Sequence, residues 1–388
     1  MSAIGTMKGL CLDVLRGRPT DRVPFCPDIS DWYSIKRLPP EAMYTMPTGS
    51  FIPDDAPFHA DDFGMPEPYK TWTYLDFFRN FGWSLHAHIY DWCDFEYDSC
   101  EYRIQREGRT LVKEFKTPKG DLRQVYGMAA DGSLCVREHF VKSLADWDTV
   151  AYIIQHTQPV ARYGHIRRIL DGIGDLGVAD LVIFRSPFGK VLVEYAGLET
   201  TTFHLMDARS RLLDVMQLQE SLDLRVVDLA AQSDADIVIL SDHADQQLIS
   251  PAWYSEFCVP YYREVARRLH ASNKLFSTHM DGKFKALFAL VRQTGVDILD
   301  GCTPAPIGNY EVEELPLAMT DAMRAYCGVP SIFFSQNVGM EEILSCAERI
   351  IQTFRGRLIF NIGDILPSNG DIDKAIALGE WVAWLNRK

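Results

Sequence analysis

The side chains of this chain that can do acid–base or metal chemistry gather just after short apolar runs. They are Asp28 and Asp31, Arg185, Asp242 with His243 and Asp245, His279 with Asp281, Asp300 with Cys302, Gln336 with Asn337, and Asp364. The tightest group is His279, Asp281, Cys302 and Asp364. Positions 279 and 281 are two apart, so in an extended strand they point the same way. Imidazole, thiolate and carboxylate together can hold zinc in a tetrahedral site with one position open. The same residues also have a plainer reading, in which Cys302 packs as a small apolar side chain and the acids cap helices or form turns, as Asp364 can before Pro367. In SDHADQQLISP, Asp242 and His243 are candidates for general acid–base catalysis, while N-capping serves Asp242 equally well and accounts for Ser250 before Pro251. Arg185 and Asp245 are candidates for substrate contact. Trp32 and Phe188 are aromatics near strand ends that could stack on a flat substrate or simply pack.

The elements that must position these residues are clearest in the second half. Apolar runs ADIVILSD, KLFSTHMD, VDILDGC, SIFFSQN and LIFNIGD alternate with amphipathic stretches such as AWYSEFCVPYYREVARRLH and MEEILSCAERIIQTF. Continuous apolar runs are the mark of parallel strands buried on both faces, and their alternation with helices predicts an α/β sheet. RVPFCPDI, LVIFRSPF and a weaker stretch from Trp83 to Tyr90 bring the count to eight, the number of a closed (β/α)₈ TIM barrel. Chemistry in such barrels lies at the carboxyl ends of the strands, where the polar residues above fall. Residues 95–140 differ, with RTLVKEFKTPKGDLRQVYGM reading as a β-hairpin that turns at KTPKGD. The expectation is one domain over residues 1–388, a TIM barrel with an N-terminal extension and a β-hairpin insertion capping one end.

Bulk properties narrow the function classes. The chain has 388 residues, 47% hydrophobic and 24% charged, with a formal charge of −14. That is ordinary globular composition, and no basic stripe marks a nucleic-acid surface. Nine cysteines, an odd number without a CxxC pair, argue for a reducing cytoplasm over a disulfide framework. No apolar run reads as a signal peptide or a membrane span. Neither GxGxxG, GxxxxGK[ST] nor GxSxG occurs.

Several blocks resemble the uroporphyrinogen decarboxylase superfamily: LRGRPTDRVPF at the start, the TPKGDL turn, SDHADQQLISPAWYSEFCVPYYREV, THMDG, GVDILDGCTPAPIGN and NIGDILP. The superfamily contains decarboxylases and zinc-dependent methyltransferases that work with corrinoid proteins. The decarboxylase stretch RQAGR is replaced by PDISDWYSIKR, and its FSDIL motif is missing from the N-terminal half, so the methyltransferase branch is the closer likeness. There, zinc is held by a His-x-Cys pair, an acid on the next strand and a final cysteine. By position His279 matches the histidine, Asp281 the first cysteine, Cys302 the acid and Asp364 the last cysteine.

The resemblance therefore implies zinc on a ligand set richer in oxygen and nitrogen. Such ligands leave the ion a stronger Lewis acid than thiolates do, which suits release of an alkoxide or phenolate from a methyl ether. The implied activity is methyl transfer from a methoxylated, in one version aromatic, donor to a corrinoid (methylcobalamin as product) on a partner protein, an O-demethylation. No DxHxxG corrinoid-carrier motif occurs in the chain itself. The alternative is a metal-free decarboxylase or lyase acting on another carboxylated substrate through Asp242 or His243 and arginines. No nucleic-acid or membrane partner is expected, and a homodimer is left open.

Overall fold

The structure, a computed structural model, describes residues 5–37, 64–128, 134–335 and 337–388. Gln336 lies outside the described residues. Among them the strands are β1 (Leu85–Ile89), β2 (Cys93–Tyr97), β3 (Glu101–Glu107), β4 (Thr110–Thr117), β5 (Gly120–Met128), β6 (Leu134–Glu138), β7 (Thr157–Ala161), β8 (Gly177–Phe184), β9 (Ile237–Ser241), β10 (Leu275–His279), β11 (Ile298–Cys302), β12 (Arg324–Pro330) and β13 (Leu358–Gly363). Seven of these form one parallel sheet in the order β1-β8-β9-β10-β11-β12-β13. Six of them fall in the stretches read as strands, and all but β1 are buried along nearly their whole length, as parallel strands between helices must be.

The segment expected to be a first strand, residues 22–29, is reduced to a single parallel bridge between Phe25 and Phe360. Its backbone nevertheless serves both edges of the sheet. Cys26 N donates to Phe360 O at 2.7 Å, Phe360 N to Pro24 O at 3.0 Å, and Ser84 N, just before β1, to Phe25 O at 2.8 Å. The sheet is thus curled into a TIM-like α/β fold.

One expected strand is corrected. SIFFSQN was read as β, but Ile332–Ser335 is a short helix, and the strand is the preceding Arg324–Pro330. A run of three apolar residues, Ile332 to Phe334, does not by its pattern distinguish a buried helical turn from a strand.

Side chains alternate along each strand, and this alternation layers the interior. Cys26, Val178, Ile237, Ile298, Tyr326 and Ile359 form an apolar floor, sealed from below by Cys11, Val14 and Leu15 of the helix Met7–Leu15. The N-terminal extension is therefore a plug. Two residues further along the strands come Asp28, Asp180, Ile239, Asp300 and Asn361, and polar groups take over. Where a hairpin was expected, β3 to β6 form a four-stranded antiparallel sheet, and β4 and β5 are joined at Thr117 and Gly120, inside KTPKGD. Among the described residues no helix is long and apolar enough to cross a membrane.

Candidate functional site

A cavity of about 1770 Å³ opens above the apolar floor and runs from the strand ends to the antiparallel sheet. Asp28, His86, His88, Arg185, His243, His279, Asp300 and Asp364 line its barrel end. Tyr97, Tyr102, Lys113, Phe115, Gln124 and Tyr126 line it on the side of β2 to β5.

His279 ends β10 and is only 9% exposed. Its Nδ1 lies 2.7 Å from Asp300 Oδ2, and its Nε2 lies 3.6 Å from Asp364 Oδ1. The His243 ring meets the His279 ring edge-on, centroids 4.6 Å apart. Ligand atoms of His243, His279 and Asp281 all lie within 4.8 Å of one another. Two donors held about 2.0–2.2 Å from one tetrahedral zinc are themselves about 3.4 Å apart, so the His279–Asp364 spacing also suits a shared ion. The ligand chemistry fits: two imidazoles and carboxylate oxygen make a zinc-type set. Asp300 on His279 Nδ1 is the carboxylate–imidazole partner that turns the other ring nitrogen toward a metal.

Burial and neighbouring charges shift several titratable groups of the cluster. Burial alone would lower His279, but the bond to Asp300 and the charges of Asp364, Asp300 and Asp281 prevail and hold it at about 9. Burial raises Asp300, yet the hydrogen bond and charge of His279 draw it down to about 2. Desolvation and the cationic charges of His279 and Arg185 push His243 down to about 3, leaving a neutral imidazole whose Nε2 lies 3.1 Å from Ser241 Oγ. Desolvation within the cavity lifts Asp364 to about 6 against the pull of His279, although its side chain keeps 45% of its surface exposed.

The backbone is shaped to this end. Arg185, His243 and Asp364 have φ of 47°, 49° and 68°, a left-handed region that non-glycine residues seldom occupy, and all three line the cavity. Strain of this kind persists where the surrounding structure enforces it, often at functional sites. Gly301, at φ 70°, is needed under the imidazole, because a Cβ there would lie 2.5 Å from His279 Cε1.

The same glycine separates residues that strand periodicity had paired. The β11–β12 register shifts between Leu299 and Cys302. Asp300 faces the cavity, whereas Cys302 is buried in register with Cys327 and does not line it. Burial also drives the Cys302 thiol well up. The structure therefore groups His279 and Asp281 with His243, brings Asp364 to His279, and leaves Cys302 in the core.

Other expected site residues are used by the fold. Asp242 is buried and accepts from Ser186 N and from Tyr262 Oη, each at 3.1 Å. Gly189 makes room for that carboxylate. Asp245 accepts from Gln247 N at 2.6 Å and from Lys283 N at 3.0 Å, tying the loops after β9 and β10 together. Trp32 and Phe188, expected to face a substrate, are buried and off the cavity, packed edge-on to Phe77 and tilted on Phe257 respectively. Arg185 does line the cavity, with Nη1 donating to Asp242 O at 3.2 Å.

Sequence reasoning missed a second group, His86 and His88 on β1 with Asp180 on β8. His86 Nε2 lies 2.7 Å from Asp180 Oδ2, and His88 Nδ1 lies 2.9 Å from Asp180 Oδ1. The available signal was the alternation in LHAHI, which puts both imidazoles on one face of a strand.

Further along the wall, Lys190 pairs with buried Asp223, which also accepts from Gln219 Nε2 at 2.7 Å. Burial pushes the Asp223 carboxyl from 3.8 to about 6, Lys190 opposing. Between those values the folded chain holds a proton that the unfolded chain releases. This group's contribution to stability is thus present below pH 3.8 and lost as pH rises through about 6. Asp223→Asn should flatten that part of the curve. Relative to wild type, its unfolding free energy should improve by up to about 3 kcal/mol between pH 4 and 7, measured by denaturant titration at stepped pH. Parallel curves would refute it.

Residues 196–382, just under half of the chain, match the family model of uroporphyrinogen decarboxylase. A solved methyltransferase from Methanosarcina mazei superposes with a TM-score of 0.57 at 13% identity, covering 98% of each chain, a likeness of fold. A D-psicose 3-epimerase structure covers 62% of this chain and 83% of its own, at 12% identity and a TM-score of 0.34. A search of curated protein sequences finds no match.

Proposed function

With a uroporphyrinogen decarboxylase domain over residues 196–382 as the premise, we propose that this chain is the methyltransferase component of an O-demethylation system. It moves a methyl group from a methoxylated substrate, aromatic ethers included, to a corrinoid on a separate protein, with zinc as Lewis acid. The observation that carries this reading is the convergence of His243, His279, Asp281 and Asp364 at the ends of β9, β10 and β13. Residues His279 and Asp281 keep the ligand roles assigned from sequence, Asp364 stands beside them, and His243 takes the place intended for Cys302.

Zinc held there supplies Lewis acidity toward an ether oxygen. The protein's own residues do the rest. Asp300 fixes the His279 ring, and the low proton affinity of His243 keeps its imidazole neutral. Asp364, 3.6 Å from His279 Nε2, can add a carboxylate oxygen to the ligand set. Tyr90, Tyr97, Tyr102 and Phe115 give the cavity aromatic walls, the stacking surface earlier sought in Trp32 and Phe188. Of the groups the lyase alternative draws on, Asp242 is engaged with Ser186 and Tyr262 and does not line the cavity, whereas His243 and Arg185 do.

The test is turnover. Purified chain, zinc, a corrinoid protein reduced to cobalt(I) and a panel of methoxylated aromatics should give the free phenol and the methyl–cobalt absorption band, and a chelator should stop both. Carbon dioxide release from a carboxylated substrate by metal-free protein would replace this reading with the lyase.

A further inference from the structure

The group formed by His86, His88 and Asp180 belongs to other strands than the site at His279. It has the make-up of a metal site in its own right. β1 and β8 pair in parallel with His88 directly opposite Asp180 and His86 opposite Val178. Gly177, opposite Leu85, lets the two backbones come close at the start of the pairing, because any Cβ there would collide with the Leu85 carbonyl. The register is thus pinned one residue before His86 and three before Asp180. Rigid strands, not loops, hold all three side chains.

Asp180 is fully buried within GVADLVIF, an otherwise apolar strand. A carboxylate removed from water in such a place is costly unless it is paired or binds a cation. Its two partners are imidazoles, which can be charged or neutral, so the pairing does not by itself fix the charge. His88 and the ring of His86 both line the cavity. At the barrel end Asp28, Asp300 and Asp364 line the same cavity as His86, His88, His243, His279 and Arg185. Beside the triad, Tyr326 stacks on His86 with centroids 4.3 Å apart, and its buried hydroxyl has no hydrogen-bond partner among the described residues.

One ligand atom from each of the three residues lies within 4.8 Å of the other two. The two contacts to Asp180 of 2.7 and 2.9 Å need open by only about half an ångström to match donors around one tetrahedral ion. Two imidazoles and a carboxylate select a borderline divalent cation such as zinc over calcium or magnesium, which prefer all-oxygen sets.

We propose that His86, His88 and Asp180 form a second divalent-metal site, of the zinc type, across the barrel from His279. The chain then binds two ions in one cavity. This inference does not depend on the O-demethylation reading; only the count of two rests on the site at His279 being metallated as well.

The experiment is a metal count on the full chain. Chelator-stripped protein is loaded with zinc, desalted and assayed by mass spectrometry, and loaded in parallel with cobalt(II) for its visible spectrum. Wild type should retain two ions per chain. His86→Ala/His88→Ala should retain one, His279→Ala one, and the triple variant none. In His279→Ala protein, added zinc should still raise the Tm, and Asp180→Asn in that background should remove the rise. Asp180→Asn preserves shape, so it decides the matter if the double alanine variant fails to fold. The proposal is overturned if wild type retains no more than one ion and His279→Ala loses it. It is equally overturned if the Tm of His279→Ala does not respond to zinc, or if Asp180→Asn leaves that response intact.

Discussion

Replacing His279 by alanine should abolish methyl transfer and remove the ion at the ends of β9, β10 and β13, while the chain still folds. The first expectation follows from position. His279 sits at the centre of the cluster: Asp300 on Nδ1, Asp364 3.6 Å from Nε2, the His243 ring at 4.6 Å, and a ligand atom of Asp281 within 4.8 Å. Without it the remaining donors have no imidazole held in place by a carboxylate. Lewis-acid polarisation contributes several kcal/mol to a transition state, so its loss should lower turnover on the order of 10³-fold or more. The fold should survive because the ring lies on the cavity wall above an apolar floor that does not include it. A chain of this length does not depend on one ion for its core. Metal analysis, circular dichroism and turnover on the same preparation separate the cases. Lost turnover with metal retained would make His279 an acid or base instead of a ligand. Unchanged metal and unchanged turnover would remove the site from this part of the barrel.

The parts of this architecture that were legible in the sequence were those where one physical signal dominates. Apolar runs ending in a polar residue announced β9, β10, β11 and β13, because a parallel strand covered on both faces has no polar alternation to hide it. His279, Asp281 and Asp364 could be found for the same reason. β12 was misplaced because Arg324, Gly328 and Pro330 interrupt its apolar character, while the neighbouring SIFF, a helical turn, shows none of those breaks. Cys302 was drawn toward the site by its place at the end of the strand next to His279, but Gly301 at φ 70° lies within a register shift that leaves Asp300 on the cavity and Cys302 in the core. His86, His88 and Asp180 were hidden by distance: the carboxylate that gives the two imidazoles a meaning is 92 residues from His88. Trp32 and Phe188 show the opposite failing. A large aromatic near a strand end reads alike whether it faces a substrate or the core, and burial decides it.

Asp300→Ala should be the most destabilising single change at the site and should also weaken metal binding. The carboxylate is 5% exposed, and its partner His279 is buried with it. Deleting one member of a buried pair leaves the other without compensation, at a cost of about 3–5 kcal/mol. Losing the group that orients a ligating imidazole typically lowers metal affinity by about 10–100-fold. Both effects should appear together, the first in denaturant unfolding of chelator-treated protein, the second in zinc titration against a competing indicator. Asp300→Asn separates them. The amide keeps the volume and can still meet Nδ1, so most of the stability should return. It cannot stabilise the imidazole as a carboxylate does, so affinity should stay low. If Asp300→Ala costs less than about 1 kcal/mol and zinc binds as before, Asp300 is not the partner that sets the His279 ring. The orientation must then come from Gly301 and the packing of the His243 ring alone, and the case for a ligand at Nε2 would rest on Asp364 by itself.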